Sequence, residues 1–320
     1  MVGKRKKIRI NFCDVYPTFD VETSVLTRAI RRNFDMEICE DPDYLIVLPY
    51  GHRHLKYSCV KILCTGENFS PDFNLFDYAA GFDYIEFGDR YVRTPLWALR
   101  DNFRDFRMKQ QPSEQQLLDR KFCSMVVSNG RGDSIREKFF LELSKYKQVD
   151  SGGRFMNNIG YLVPDKLNFL SRYKFNIAFE NSAYPGYTTE KIMDALSVWS
   201  VPLYWGDPFV NRDFNESAFV WIKDSNDIKR AIEEIIQLDR DDEAYLRRCT
   251  SPCLANQDLM AYENKLANFF AEIFEQPLES VRRVATMGYQ ESFYRKGLAH
   301  AFESDDTFGR LIDLKRKLFK

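Results

Sequence analysis

The sequence predicts an α/β protein with two domains. Short apolar segments alternate with stretches whose apolar residues recur every three or four positions, which is the pattern of strands and helices around a parallel sheet. The length of 320 residues is enough for two domains of ordinary size. Residues 173–208 contain a strand, a loop, a helix and a second strand in that order. We therefore place this βαβ unit at the centre of the second domain.

The βαβ unit begins and ends with an apolar run, Phe175–Phe179 and Val201–Trp205. The helix between them is predicted from apolar residues at helical spacing: Ile192, Ala195, Leu196 and Trp199. Thr188 or Thr189 can cap this helix. A helix start just past the carboxyl end of a strand is where open α/β sheets bind anions and nucleotides.

Lys191 is unusual in the first turn of a helix. The helix N-terminus carries partial positive charge, so a cation there costs about 0.3–1 kcal/mol. The lysine is explained if an anion such as a pyrophosphate lies between it and the helix, and Glu190 beside it could accept hydrogen bonds from ribose hydroxyls. The alternative interpretation is a solvated Glu-Lys pair at the start of an ordinary helix.

The first domain is predicted to span residues 1–118, with strands at 7–15, 36–39, 44–48 and 61–65 and a helix at 24–34. Residues 100–120 are polar and poor in β-branched side chains, so we place the domain junction there. The second domain is predicted at 119–275. Its other predicted elements are a strand at 121–128, a helix capped by Ser134, a strand at Val149, a helix from Asp165, a strand at 218–222 and three helices within 225–275.

Residues 276–320 are predicted to form a helical tail. Its closing segment, 310–320, places three leucines on one stripe beside basic residues. Such a segment could touch anionic lipid at the inner membrane face. Packing back on the protein is the preferred alternative.

Composition excludes several classes of function. The 46 basic and 47 acidic residues leave a net charge of −1, which gives no basic field for nucleic acid. The seven cysteines lack a CxxC spacing, and no segment is apolar enough for a signal peptide or a transmembrane helix. We expect a cytoplasmic protein. His52 and His54 have no further ligand at zinc spacing, so no metal site is expected there.

Several segments resemble the α-1,3-fucosyltransferases of glycosyltransferase family 10, of the soluble bacterial type. They are FENS (residues 179–182), TEKI, VPLYWG, CTGEN, FNLFDYAAGFD, VVSNGRGDSIREKFF and VDSGG, and all of them lie within residues 60–250. The resemblance implies the GT-B fold, in which two Rossmann-like domains face each other across a cleft. It also implies an acceptor-binding first domain and a GDP-fucose-binding second domain.

The implied reaction moves L-fucose from GDP-β-L-fucose, with inversion, to the GlcNAc or Glc of a Galβ1-4GlcNAc-type glycan, and forms Lewis-type structures. Glu67, in a Gly-Glu-Asn turn, matches the residue proposed in the family as the general base. Arg136 and Lys191 match the residues that grip the donor pyrophosphate. An essential metal is not required, because these two cations can meet the charge of the leaving diphosphate.

The remaining donor-site candidates are also carried over from the resemblance. Glu190 would hold the ribose hydroxyls, and Asn181 and Tyr187 fall on family positions near the phosphates and the fucose. Glu180 is either structural or a partner for fucose hydroxyls. Asp41-Pro42-Asp43 mimics the metal-binding motif of another glycosyltransferase class, but it precedes a strand, so we interpret it as a chance match.

Two other functions stay open on the sequence. One is a transferase of the same fold that uses another nucleotide sugar. The other is a non-catalytic protein that binds nucleotides or glycans. The combination of Glu67 with Arg136 and Lys191 argues against simple binding, because binding alone does not need a base.

Overall fold

The computed structural model describes residues 5–100, 110–255 and 260–302. Its strands are β1 Lys6–Cys13, β2 Phe34–Ile38, β3 Tyr44–Val47, β4 Val60–Cys64, β5 Tyr78–Gly81, β6 Tyr91–Arg93, β7 Lys121–Met125, β8 Val149–Ser151, β9 Tyr173–Ile177, β10 Val201–Tyr204 and β11 Val220–Trp221. Its α-helices are α1 Val25–Arg31, α2 Glu114–Leu118, α3 Ile135–Ser144, α4 Lys166–Leu170, α5 Glu190–Leu196, α6 Ile228–Arg240, α7 Asp242–Cys249 and α8 Ala261–Glu275. Short 3₁₀ helices cover Arg53–Lys56, Gly88–Arg90, Leu96–Leu99, Val210–Arg212 and Glu216–Ala218, and a π-helix covers Gln290–Arg295.

The chain divides into two compact units, each built on one sheet. The first unit contains the chain up to residue 81, residues 85–94 and the chain from residue 263 onwards. The second contains residues 82–84 and 95–262. The predicted class, α/β with two Rossmann-like domains of the GT-B type, is confirmed.

The first unit has a six-stranded parallel sheet in the order β2-β1-β3-β4-β5-β6. All five residues of β4 and all four of β3 are buried, as expected for a parallel sheet covered on both faces. The chain passes from β1 to β2 on one side and to β3 on the other. The switch point of this sheet therefore lies between β1 and β3.

The domain limits differ from the prediction at both ends of the second domain. Residues after 262, predicted to stay in the second domain until 275, belong to the first unit because Phe274 packs against Phe34 and Tyr44, with ring centroids 5.5 and 4.6 Å apart. Residues from 95, predicted to end the first domain, belong to the second unit. There the Trp97 ring packs 4.7 Å from that of Phe214.

The chain after α8 also contacts the first sheet. The hydroxyl of Tyr78 donates to the carbonyl of Val281 at 2.6 Å, and the side chain of Asp77 accepts from the backbone of Arg283 at 2.7 Å. Part of the predicted junction, residues 101–109, and the predicted lipid-contacting segment 310–320 lie outside the described residues. None of the helices in the described part of the chain is long and apolar enough to cross a membrane.

The second unit has a five-stranded parallel sheet in the order β11-β10-β9-β7-β8. Its apolar core joins strand residues such as Phe175 and Leu203 to helix residues such as Phe139 and Ile235. The chain runs from β7 to β8 on one side and then to β9 on the other. The switch point therefore lies between β7 and β9, and the segments that follow these strands carry the candidate site.

Candidate active site

Arg136 is the most deeply placed cation at the switch point of the second sheet. It stands in the first turn of α3, the helix that follows β7, and only 1% of it is exposed. Its Nε donates to the carbonyl of Glu180 at 2.8 Å, one terminal nitrogen donates to the carbonyl of Asn129 at 3.2 Å, and the other donates to the Asn181 amide oxygen. These bonds use three of the five N–H donors of a guanidinium. Burial lowers the pKa of Arg136, and Glu180 opposes that effect.

Glu180, three residues past the end of β9, is fully buried and anchors the segment that follows the strand. Its carboxylate accepts from the backbone N–H of Thr189 at 2.7 Å and from the Thr189 hydroxyl at 2.7 Å. The same carboxylate accepts from Lys191 Nζ at 2.8 Å. Position 206 must be glycine, because φ is +153° there and a Cβ would lie 2.5 Å from Glu180 Cγ.

Lys191 and Glu190 begin α5 as a charged pair. Lys191 Nζ lies 2.7 Å from the Thr189 hydroxyl and 3.8 Å from the Glu190 carboxylate. Burial opposes the charge on Lys191, but Glu180 and Glu190 raise its pKa well above the ordinary value. Burial likewise opposes ionisation of Glu190, yet Lys191 and Lys166 lower the pKa of Glu190 to about 2. Both groups are therefore charged at neutral pH.

A buried turn holds Tyr187 beside this pair in the chain. Tyr187 is 2% exposed and its ring packs against Phe82, with centroids 5.2 Å apart. The turn is fixed by Asp207, whose carboxylate accepts from the backbone N–H of Gly186 at 2.8 Å and from the Thr188 hydroxyl at 3.1 Å. Gly186 has φ of +85°, which a residue with a side chain rarely adopts.

Glu67 belongs to the first unit, three residues past the end of β4. It is exposed, and its carboxylate accepts a hydrogen bond from the Tyr50 hydroxyl at 2.8 Å. The backbone N–H of Glu67 donates to the Thr65 hydroxyl at 3.2 Å. The predicted position of Glu67, in a turn at the carboxyl edge of the sheet, agrees with the structure.

Tyr50 is held in turn by Asp14, which directly follows β1. The backbone N–H of Tyr50 donates to the Asp14 carbonyl at 3.1 Å. The Asp14 carboxylate is buried and accepts from the backbone N–H groups of Arg53 and His54 at 2.9 and 3.0 Å, and His54 Nδ1 lies 2.7 Å from it. Burial opposes ionisation of Asp14, but these hydrogen bonds lower its pKa. The segment that carries Tyr50 is therefore fixed to the switch point of the first sheet.

The structure joins five of the predicted site residues through direct contacts: Arg136, Glu180, Asn181, Glu190 and Lys191. Glu67 belongs to the first unit. The sequence interpretation missed Tyr50 and Asp14. Each follows a strand next to the switch point. The carboxyl ends of parallel strands lie at one edge of the sheet, and this rule could have identified both residues from the sequence.

The chain resembles known fucosyltransferases over both units. Residues 10–100 match the family described as alpha-(1,3)-fucosyltransferase FucT N-terminal domain, and residues 118–249 match glycosyltransferase family 10 (fucosyltransferase) C-term. A solved structure described as alpha1,3-fucosyltransferase with GDP-fucose is 30% identical, covers 86% of this chain and 93% of its own, and has a TM-score of 0.71.

Two relatives known from their sequences extend this result. The alpha-(1,3)-fucosyltransferase FucT of Helicobacter pylori is 34% identical over 80% of this chain and 63% of its own length. The 3-galactosyl-N-acetylglucosaminide 4-alpha-L-fucosyltransferase FUT3 of Bos taurus is 38% identical over 39% of this chain and 35% of its own length. This chain thus spans less than two thirds of either relative. The matches over both units, together with a parallel α/β fold in each, show that the chain belongs to glycosyltransferase family 10, the fucosyltransferases.

Proposed function

We propose that the chain is an inverting α-1,3-fucosyltransferase that moves L-fucose from GDP-β-L-fucose to the GlcNAc or Glc of a lactosamine- or lactose-type glycan. One observation carries the proposal. Arg136 and Lys191, from two different helices, both bind the 180–181 segment at the switch point of the second sheet. This is the edge at which open α/β sheets bind nucleotides.

The donor pyrophosphate is assigned to Arg136 and Lys191. Two N–H donors of Arg136 have no partner among the described residues, and a guanidinium matches phosphate oxygens with paired hydrogen bonds. Lys191 adds a second positive charge, which stabilises the diphosphate as it leaves. Glu180 fixes the position of this ammonium group. The sequence left two roles open for Glu180, a structural one and a partner for fucose hydroxyls, and this contact favours the structural one.

The sugar-binding roles follow from the charges and positions of the neighbouring residues. Glu190 carries a carboxylate at neutral pH, which suits it to accept hydrogen bonds from the ribose hydroxyls. Asn181 and Tyr187 would lie near the phosphates and the fucose, as their family positions imply. The first unit would bind the acceptor and the second the donor.

Glu67 is proposed as the general base. Its carboxylate takes the proton from the acceptor hydroxyl, the freed oxygen attacks fucose C1, and the bond from C1 to the β-phosphate oxygen breaks as GDP leaves. A single displacement inverts the anomeric carbon and needs one carboxylate base. The reaction needs no metal ion in this scheme, since two cations face the leaving diphosphate.

The test is to incubate the protein with GDP-fucose and a panel of lactose and lactosamine acceptors, and to determine the product linkage and anomeric configuration by NMR. We expect an α-1,3-linked fucose on GlcNAc or Glc. UDP-galactose and GDP-mannose, offered in parallel, test the same-fold alternative with another donor. Transfer from one of those sugars but not from GDP-fucose would reject the donor assignment. GDP binding without transfer to any acceptor would favour a binding protein.

A further inference from the structure

A second basic site lies in the first unit, at the amino edge of its sheet. Lys61 is the second residue of β4, and Asp77 directly precedes β5. Glu67 follows the carboxyl end of β4, so Lys61 and Glu67 are at opposite edges of the same sheet. A strand of five residues spans roughly 15 Å, which separates this place from the candidate base.

Lys61 is a buried lysine, and the described part of the chain offers its ammonium group no hydrogen-bond acceptor. The residue is 5% exposed, and within residues 5–100, 110–255 and 260–302 its Nζ makes no hydrogen bond or ion pair. A buried charge without a partner is costly, and native proteins rarely keep one without a reason. Burial lowers the pKa of Lys61, and the guanidinium groups of Arg295 and Arg282 lower it further against the opposing effect of Asp77.

Lys61 lines a cavity of about 80 Å³ together with Asp77, Arg282 and Arg295. A water needs about 10–15 Å³ of such space, so the cavity has room for several waters or for one tetrahedral ion. Three cations and one carboxylate surround it, which leaves two positive charges in excess. The lining therefore favours an anion.

The single carboxylate in the lining is already committed to the backbone. Asp77 accepts from the N–H of Lys61 at 2.9 Å, from that of Arg283 at 2.7 Å and from that of Val284 at 2.8 Å. The segment that carries Arg282 is thereby fixed against the sheet. Arg282 also donates to the Ser58 carbonyl at 2.6 Å, so its guanidinium is held at the wall of the cavity.

We propose that this cavity binds a small tetrahedral oxyanion, a phosphate or sulfate group, through Lys61, Arg282 and Arg295. The site is separate from the proposed donor site and does not depend on the proposed function. The oxyanion is either a free ion or the phosphate of an ester, and both present the same oxygens to these cations. Occupancy would give Lys61 a hydrogen-bond partner that the described residues do not supply.

The test is isothermal titration calorimetry of the full chain with sodium phosphate, with chloride at equal ionic strength as the reference titration. Lys61→Met removes the charge and keeps the length of the side chain. Arg282→Gln weakens the same site through a residue of the segment after α8. Lys7→Met is the matched control, at an exposed lysine of the same sheet. Glycerol 3-phosphate in place of phosphate distinguishes an esterified ligand from a free ion. Phosphate that binds elsewhere, including at Arg136 and Lys191, contributes equally to all variants.

We expect the affinity of the site for phosphate to fall at least tenfold in Lys61→Met and to fall in Arg282→Gln, while Lys7→Met binds like the native protein. Circular dichroism shows whether each variant is folded. If Lys61→Met does not fold, the phosphate affinity of Arg282→Gln decides whether the cavity binds the anion. Equal phosphate affinity in the native protein and in the folded variants would overturn the proposal. So would the absence of any phosphate binding beyond that of chloride.

Discussion

Lys191 has a partner in the structure that the sequence did not indicate. A cation in the first turn of α5 is mildly unfavourable unless an anion lies beside it, and the sequence predicts a pyrophosphate for that role. The structure adds a second anion, the buried Glu180 carboxylate, 2.8 Å from Lys191 Nζ. Glu180 lies eleven positions earlier in the chain, so helical spacing gave no signal for the pair.

Lys191→Met is expected to destabilise the protein and to abolish tight GDP binding. The change leaves Glu180 buried without its cation, which costs about 3–5 kcal/mol in the free energy of unfolding. Urea denaturation measures the stability, and calorimetry measures the affinity for GDP. Lys138→Met, at an exposed lysine on α3, is the control.

A second variant separates the two effects of Lys191. Adding Glu180→Gln to Lys191→Met removes the unpaired charge, so we expect part of the stability to return while GDP binding stays weak. If the double variant recovered native affinity for GDP, Lys191 would have no direct role in holding the donor.

Glu190→Gln is expected to lower stability more at neutral pH than in acid. The pKa of Glu190 is about 2 in the folded protein and about 4.3 in an unfolded chain, so its ionised form stabilises the fold above pH 4.3. That contribution, up to about 3 kcal/mol, is lost as pH falls through 4 towards 2. Urea denaturation at pH 7 and at pH 3 measures it. If the native protein and the variant differed in the free energy of unfolding by the same amount at both pH values, the charge assignment would be contradicted. Glu137→Gln, at an exposed glutamate, is the control.

Tyr50→Phe is expected to slow transfer while the affinity for GDP is unchanged. The hydroxyl of Tyr50 donates to the Glu67 carboxylate at 2.8 Å and orients it. One such hydrogen bond contributes about 0.5–1.5 kcal/mol, which corresponds to roughly a 2- to 10-fold lower kcat. Initial rates at saturating donor and acceptor measure the effect, and Tyr289→Phe at an exposed tyrosine is the control. A native rate in Tyr50→Phe would remove this tyrosine from the site.

At the scale of elements, the segment after β3 takes its position from β1. Asp14 has φ of +53°, a conformation that asparagine adopts as readily as aspartate, so Asp14→Asn removes the charge without backbone strain. Its carboxylate accepts three hydrogen bonds from the 53–54 segment. The network thus fixes the loop that carries Tyr50.

Asp14→Asn is expected to lower both the stability and the rate of transfer. An amide cannot accept all three bonds, so we expect a loss of about 2 kcal/mol in the free energy of unfolding, and a lower kcat because Tyr50 is less well placed. Thermal denaturation and initial rates measure the two effects. Asp35→Asn, at an exposed position in β2, is the control. If stability fell while kcat stayed native, the loop would have no positioning role.

The elements that the sequence predicted well are those with a strong apolar pattern. Strand β4 and helix α3 were placed within a few residues, because β4 contains a run of large apolar residues and α3 has apolar residues at helical spacing. Strands β5 and β6 were missed, since they have four and three residues and no alternation of apolar and polar side chains. Such short strands are specified by their neighbours in the sheet rather than by their own sequence.

At the scale of the whole molecule, the sequence predicted two Rossmann-like units but not where the chain passes between them. The tail after residue 262 returns to the first unit through packing of Phe274, a contact with residues more than 200 positions away. Local composition does not record such contacts. The proposed donor residues could be named as a group because the family motifs are local, whereas Asp14 and Tyr50 are brought near Glu67 only by the order of strands in the sheet.

We propose Glu67 in the first unit as the base for a donor held by Arg136 and Lys191 in the second. The most direct measurement is the rate of fucose transfer by Glu67→Gln at saturating GDP-fucose, with its GDP affinity determined in parallel and Glu279→Gln as an exposed control. We expect kcat to fall by about 10²- to 10⁴-fold while the Kd for GDP stays within twofold of the native value. Transfer at the native rate by the folded variant would contradict the claim.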